Sequence, residues 1–437
     1  MASGDSFRNI SSMSFGLSAE QESFLEGVRA ACERIRPAEE LSYLNRSRNM
    51  EVVPVFGQIG MLGCPVLAHY GGLGYDMLTY CLALELVGQV GSSLRTFFSA
   101  HTSIGQLVLQ AWGNDSQRTR LLPETTTGEK VMAFALTEPA AGSDPAAMKT
   151  RYEKRNGSFV LTGKKHWIGN GTFARIMTTY AKDVDTGRIS SFIIERDEIP
   201  EPAGQPETNR DGIWTSEISN KVGLHTVKNA EVNFKNFEIP ADNLLGEEGQ
   251  GLSIAYSALI DGRLSVAAGA IGVMRDCLEE SVKYSKQRIQ HGSELARKQL
   301  IQEHIARMAI DIESSRWLVY RAAAAVQKLH DYVEATHNEK AGASDTTTVL
   351  GRSNTQYSAL RREADYLSAV AKFHASNCSF ECANRAVQIF GSAGYTLSAS
   401  VARHFLDSRA TIIYEGANEV LELKIASSIL GEGYSAF

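Results

Sequence analysis

At 437 residues the chain has room for two or three domains, and 43% hydrophobic with 22% charged side chains is the make-up of an ordinary soluble globular protein. The net charge of −6 and the lack of any dense Lys/Arg run exclude a surface built to hold nucleic acid, and no apolar stretch is read as long enough for a membrane span. The six cysteines, Cys32, Cys64, Cys81, Cys277, Cys378 and Cys382, show no paired C-x-x-C spacing, so free thiols in the cytoplasm are expected and no metal site is.

Residues 1–17, Ser-rich with Asp5 and no apolar run, read as a flexible N-terminus rather than a targeting segment. Over 18–130 the period is helical. SAEQESFLEGVRAACERI opens with a Ser-x-x-Gln capping signal and sets Phe24, Val28, Ala31 and Ile35 on one face. TYCLALELVGQVG and SIGQLVLQAWG continue as helices closed by Gly. Near residue 131 the period drops to two. VMAFALTE, SFVLTGKKHWIG, RIMTTYAKD, SSFIIERD and AEVNFKNFEIP predict a small antiparallel β domain over 131–243.

Over 244–437 the helical period returns. LSIAYSALIDGRLSVAAGAIGVMRDCLEESVKYSKQR is too long for a lone surface helix and implies a bundle. Two more long helices are predicted at about 297–333 and 361–390, separated by polar, aperiodic HNEKAGASDTTTVLGRSN, which reads as a mobile surface insertion. A strand-like apolar run, TIIY, then leads to Glu415 and to a helix starting near Ala417. The fold class is therefore α+β, mainly α.

Several residues invite a chemical reading, and each has a plain one beside it. LTEPAAGSD is a turn of small residues with exposed backbone N–H groups, which a flat polar ring or a phosphate could approach closely. Trp167 alone would be a core tryptophan, Arg288 a solvated helix-end charge, and Arg95 half of a surface ion pair. Glu415 is either an acid favoured by the following helix start or a general base.

Five stretches decide between these readings: LTEPAAGSD (136–144), WIGN (167–170), IPADNLLGEEGQG (239–251), AVQIFGSAGY (386–395) and IYEGANE (413–419). In this order and at these separations the chain resembles the FAD-dependent acyl-CoA dehydrogenase family from about residue 18 to 430. The resemblance implies a helical N-terminal domain, a middle antiparallel β-barrel and a C-terminal four-helix bundle, assembled as a homotetramer. It implies that Phe134, Ala135, Leu136, Thr137, Gly142, Ser143 and Trp167 line the flavin, with Ser143 also near the pyrophosphate or the acyl carrier. Arg288, Gln299, Gln388 and the loop carrying Ser392 would complete the FAD site, Arg288 reaching the diphosphate of a neighbouring subunit. Glu415 would take the substrate's α-proton while the flavin takes the β-hydride. Tyr414 and Gly416 would flank the substrate, and the Glu415 N–H would polarise the thioester carbonyl.

The chain departs from the family's pattern at Gly169 (usually Thr or Ser), His291 (Phe), Ser392 (Gly) and Ala417 (Thr), and Glu419 stands where Gln is also found. The hydroxyl missing at Gly169 would have met flavin N5. Its loss leaves an acyl oxidase beside a dehydrogenase, with oxygen or an electron-transfer flavoprotein as acceptor. Arg263 matches an arginine of the pantetheine channel, yet Ile260 replaces the acid usual three positions before it, so acyl-CoA and acyl-carrier-protein thioesters both stay open. Arg95, in GSSLRTFFSAHTS, is similar to an arginine of the glutaryl-CoA dehydrogenase branch, which implies a short polar or carboxylated acyl group. A non-catalytic flavin-fold binding protein is the most distant reading.

Overall fold

The computed structural model describes residues 16–196, 211–339 and 354–434; residues 1–15 of the expected flexible N-terminus and residues 340–353 of the polar insertion lie outside these. Helix α1 (Ala19–Leu44) starts at its capping signal, where Ser18 Oγ accepts from the Gln21 N–H at 3.2 Å and Gln21 Oε1 accepts from the Ser18 N–H at 2.8 Å. Phe24, Val28, Ala31 and Ile35 form its buried face. Then come α2 (Val52–Gln58), α3 (Met77–Val90), α4 (Ser92–Phe98), α5 (Leu107–Trp112) and α6 (Asp115–Thr126). Between α4 and α5 the chain makes a wider, π-helical turn over Ser99–Gln106, wholly buried. The expected helix over SIGQLVLQAWG is thus half π-turn, a feature that recurs at functional sites because it rotates side chains off the regular ladder.

The middle domain is an eight-stranded sheet: β1 (Met132–Ala135), β2 (Arg151–Arg155), β3 (Ser158–Ile168), β4 (Ile176–Asp183), β5 (Ile189–Glu195), β6 (Gly212–Glu217), β7 (Ala230–Pro240) and β8 (Leu244–Leu245). The order is β6-β7-β3-β2-β4-β5-β8, with β1 also on β4. The expectation of a purely antiparallel domain needs correction, because β1 and β2 both pair with β4 in parallel. A long connection leads from β1 to β4, as parallel pairing requires, and β4 is buried along nearly its whole length, the usual setting of a parallel strand.

The bundle contains α7 (Gly251–Gln287), α8 (Gln299–Glu339), α9 (Thr355–Phe390), α10 (Ser400–Thr411) and α11 (Asn418–Leu430). Helix α9 begins earlier than expected because Asn354 caps it, its side chain accepting from the Tyr357 N–H at 3.0 Å. The TIIY run is not strand-like. The Ile413 and Tyr414 N–H groups both donate to the Ala410 carbonyl and continue the turn of α10. Contrary to the expectation from sequence, helix α7 is long and apolar enough to cross a membrane by length and composition, but its apolar stretch is mostly buried inside the protein. It is the central helix of the core.

Glycines let α7 approach α3 backbone to backbone: a Cβ on Gly88 would lie 2.2 Å from the Gly269 carbonyl oxygen, and one on Gly272 would lie 2.1 Å from that of Glu85. Buried Asp407 of α10 joins three parts of the chain. Its carboxylate accepts from Tyr43 Oη (2.7 Å), Ser93 Oγ (3.0 Å) and the Leu224 N–H (2.6 Å). Asp407→Ala orphans all three donors and is expected to cost roughly 3 kcal/mol in urea unfolding. Glu26→Ala on the exposed face of α1 should stay within about 0.5 kcal/mol.

Candidate active site

Two loops of the β domain approach the helices. LTEPAAGSD turns back at once, the Glu138 and Ala141 backbones exchanging hydrogen bonds. The turn is anchored from behind by Glu138, which accepts from the Lys149 N–H (2.6 Å), the Thr150 N–H (3.1 Å) and Lys165 Nζ (2.7 Å). Burial alone would raise the Glu138 pKa, but Lys165 and these donors hold it below its ordinary value, while burial brings Lys165 down to about 8. This buried pair went unnoticed in the sequence. It leaves Gly142 and Ser143 exposed, with nothing within 4 Å of a Gly142 Cβ.

Strand β3 breaks register between Lys165 and Ile168, and Trp167 sits there at φ +63° and 52% exposed. A bulge plus a left-handed residue turns the ring out of the sheet rather than into the core. Asn170, also left-handed, donates to the Phe97 and Met132 carbonyls at 3.2 Å each and ties WIGN to α4 and β1. Gly169 consequently lies over Ala100, a Cβ on it being 3.5 Å from the Ala100 Cβ. Phe134 and Leu136 face the helices, and Thr137 is half-buried. The Ala135 side chain points into the β-domain core, so only its backbone can meet a ligand.

Glu415 closes the site from the bundle side. It follows α10 at φ +53° and is succeeded by Gly416 at φ +96°. Two consecutive left-handed residues put the carboxylate inward, onto α7. Its Oε1 accepts from Ser99 Oγ at 2.7 Å, while Oε2 is buried and unpartnered. A Cβ on Gly262 would lie 2.0 Å from Oε2, so the carboxylate fills the notch of a bare backbone. Burial raises the Glu415 pKa; Arg95, the Ser99 hydroxyl, Lys372 and Arg263 oppose it without cancelling it. The Glu415 N–H has no backbone partner among the described residues.

Arg95 is 1% exposed. Its Nη2 donates to Tyr414 Oη and to Thr96 Oγ1 (3.0 Å), and Nη1 has no partner. Gly269, two turns along α7 from Gly262, makes room for it, since a Cβ there would lie 2.4 Å from Arg95 Cγ. Arg263 is buried beneath Gly416 and paired with Asp365 at 2.6 Å. Lys372 of α9, fully buried, donates to the Gly416 carbonyl (2.7 Å) and Asn418 Oδ1 (2.8 Å). Ala417 caps α11, and Glu419 in its first turn is exposed.

The structure thus brings Arg95, Gly169, Arg263, Tyr414, Glu415 and Gly416 around one spot, and adds Ser99, Gly262 and Lys372, which sequence reasoning missed. Ser99 could have been found as the i+4 neighbour of Arg95, and Lys372 as a charge among the small residues of SAVAKFHAS. Arg288, His291, Gln299, Gln388 and Ser392 are not part of this spot. All are exposed, and Gln388 lies about 24 Å further along α9 than Lys372. Among the described residues no group of three or more His, Cys, Asp or Glu could hold a metal ion.

The site thus combines a carboxylate oxygen without a partner, a projecting tryptophan and an open glycine turn. The N-terminal, middle and C-terminal domain profiles of acyl-CoA dehydrogenases match residues 18–129, 133–237, and 249–357 with 352–430. The chain belongs to the acyl-CoA dehydrogenase family. It is 34% identical to an acyl-CoA dehydrogenase of Bacillus subtilis (strain 168) over 92% of this chain and 95% of that one. It superimposes on a glutaryl-CoA dehydrogenase from Mycobacterium smegmatis in complex with FADH2 with TM-score 0.79 and 25% identity, covering 96% of each chain. On the prolyl acyl carrier protein oxidase AnaB the TM-score is 0.79 and the identity 26%, over 95% of this chain and all of that one.

FAD is the cofactor, and the protein is an oxidoreductase acting on CH–CH bonds. The exposed Trp167 face and the open turn at Gly142 fit a flavin.

Gly262→Ala should displace the Glu415 carboxylate and lower anaerobic flavin reduction by about 10²-fold with FAD content preserved, whereas Gly27→Ala, whose added Cβ meets nothing, should leave the rate unchanged. A general base works ionised, and the folded pKa of Glu415 lies above the ordinary 4.5. Stopped-flow flavin reduction should therefore rise with pH through a midpoint above 4.5. A midpoint at or below that value contradicts the burial argument.

Proposed function

We propose that the chain oxidises the Cα–Cβ bond of a short acyl thioester bearing a distal carboxylate or other polar acceptor. The observation that carries this is Arg95: a guanidinium shut away from water, with no ion pair among the described residues and Nη1 facing no acceptor. A buried charge with no ion pair, offset only through space by the Glu415 carboxylate, is costly unless a ligand supplies a direct partner. Ser99, one turn along from Arg95, holds the base, so a group on Arg95 and an α-carbon at Glu415 are a short acyl chain apart. The likeness to a glutaryl-CoA dehydrogenase supports the same substrate class.

Glu415 accepts the α-proton as a carboxylate, and its free N–H is placed to donate to the thioester oxygen as charge develops there. Held by the 134–143 segment and Trp167, FAD would supply the acceptor for the β-hydride. Tyr414 orients Arg95, and Trp167 walls the site toward solvent. The substrate carrier is CoA or an acyl carrier protein, with Arg263 and Ser143 on the carrier side. The exposed set Arg288, His291, Gln299, Gln388 and Ser392 lies among exposed apolar Ile289, Leu300 and Tyr395, as expected if those residues meet the FAD of a neighbouring subunit in a homotetramer. We place the enzyme in the cytoplasm, in keeping with six free cysteines, five of them buried.

A second reading, oxidase activity, is favoured by Gly169. Its φ is not left-handed and a Cβ there would make only an ordinary contact, so the missing hydroxyl is a chemical choice rather than a steric need. The likeness to an acyl carrier protein oxidase supports it too. With oxygen excluded, glutaryl-CoA should bleach the flavin faster than butyryl-CoA, and Arg95→Met should remove that preference by about 10- to 100-fold. Glu415→Gln should lose at least about 10²-fold with either ester. Rapid recolouring with peroxide on admitting air makes the protein an oxidase, slowed in Gly169→Thr; slow recolouring leaves an electron-transfer flavoprotein as acceptor. If CoA esters and carrier-protein thioesters all fail to bleach it, the fold serves binding alone.

A further inference from the structure

We propose that Lys372 is a positioning residue for the base: its ammonium holds the Glu415–Gly416 turn in its left-handed form and is one of the positive charges gathered around the Glu415 carboxylate. The inference rests on the reading of Glu415 as the base. Lys372 stands on α9 at 0% exposure. A lysine is rarely buried so completely, and here neither hydrogen-bond acceptor is a carboxylate: one is the Gly416 carbonyl (2.7 Å), the other Asn418 Oδ1 (2.8 Å). Asn418 is itself held from the same helix, its Nδ2 donating to Ser376 Oγ (3.0 Å) and Asn377 Oδ1 (3.1 Å). Both acceptors of Lys372 flank Ala417, so one ammonium bridges the strained turn and the start of α11.

The turn needs such a clamp. Glu415 at φ +53° is a non-glycine residue in the left-handed region, a conformation that costs on the order of 1 kcal/mol. Its carboxylate has one hydrogen bond, to the Ser99 hydroxyl, and Oε2 rests against Gly262 without a polar partner, so relaxation of the backbone would withdraw it from the notch. A conventional ion pair with the carboxylate would quench the base; a lysine bound to the next residue's carbonyl fixes the backbone and leaves Oε2 free for substrate.

The charge acts through space. Burial lowers the Lys372 pKa to about 7, with Glu415 and, on α11, Glu419 drawing it up and Arg263 of α7 and Arg95 of α4 pushing it down. Reciprocally, Lys372 is one of the charges that hold Glu415 below the value burial would impose.

The test is an infrared titration of the FAD-loaded protein, following the protonated carboxyl band of Glu415, assigned by its loss in Glu415→Gln. Lys372→Gln keeps a donor to the Gly416 carbonyl and removes the charge. Lys372→Met removes both, and Lys372→Arg keeps both. The proposal expects the Glu415 midpoint to rise by about one pH unit or more in Lys372→Gln and Lys372→Met and to stay near wild type in Lys372→Arg. With glutaryl-CoA as probe, the rate of flavin reduction at pH 7 should fall about tenfold or more in Lys372→Gln, with KM changed less than about threefold. If Lys372→Met does not fold, the Gln and Arg variants carry the comparison. A Glu415 midpoint that ignores the charge at position 372 overturns the proposal. Flavin reduction that persists in Glu415→Gln instead overturns the reading of Glu415 as the base, so the two failures are told apart.

Discussion

The rest of the site depends on a carboxylate pressed against bare helix backbone. Glu415 Oε2 occupies the space a Cβ would take at Gly262, and nothing else can stand between the carboxylate and α7. That contact excludes water, and exclusion of water lifts the affinity of Glu415 for a proton. It also sets what the neighbours must do. Ser99 takes one oxygen, the π-helical turn presents that serine, and two left-handed residues in succession aim the carboxylate. Gly269 repeats the device two turns along α7 and admits Arg95.

The Glu415 carboxylate is thus surrounded by buried Arg95, Arg263 and Lys372, and of these only Arg263 is ion-paired, to Asp365. The excess of positive charge is a statement about ligands. A site that developed no negative charge would gain nothing from it, whereas an enolate-like thioester and a distal carboxylate would both be stabilised. The same arrangement keeps α3 and α7 in backbone contact, and beside that contact Glu85 is held by Arg275 and Arg316 at 2.8 Å each. The stability of the core and the geometry of the site are consequences of one glycine-lined helix face.

Much of this was legible in the sequence where a residue's role is local. The Ser18 capping box, the change of period near residue 131 and the Tyr-Glu-Gly turn all lie within a few residues of what they determine. Arg95 was legible as a candidate substrate residue through its resemblance to a branch of the family, but its burial was not, since a lone Arg in sequence reads as half of a surface pair. The parallel pairing of β1 and β2 with β4 was not, because strand direction depends on where a long connection returns. The π-turn was hidden because SIGQLVLQAWG satisfies a helical period. Lys372 escaped because its partners stand more than forty residues on and no short-range pattern joins them. Gly262 and Gly269 read as ordinary helix glycines until the side chains lying across them are seen.

The central claim is that Glu415 removes the α-proton. It is tested most directly by anaerobic single-turnover flavin reduction with glutaryl-CoA deuterated at the α-carbon. The account predicts that reduction of the wild type slows by a primary isotope effect, with label lost to solvent only while Glu415 is present. Reduction at an unchanged rate, or loss of α-deuterium from Glu415→Gln at the wild-type rate, would contradict it.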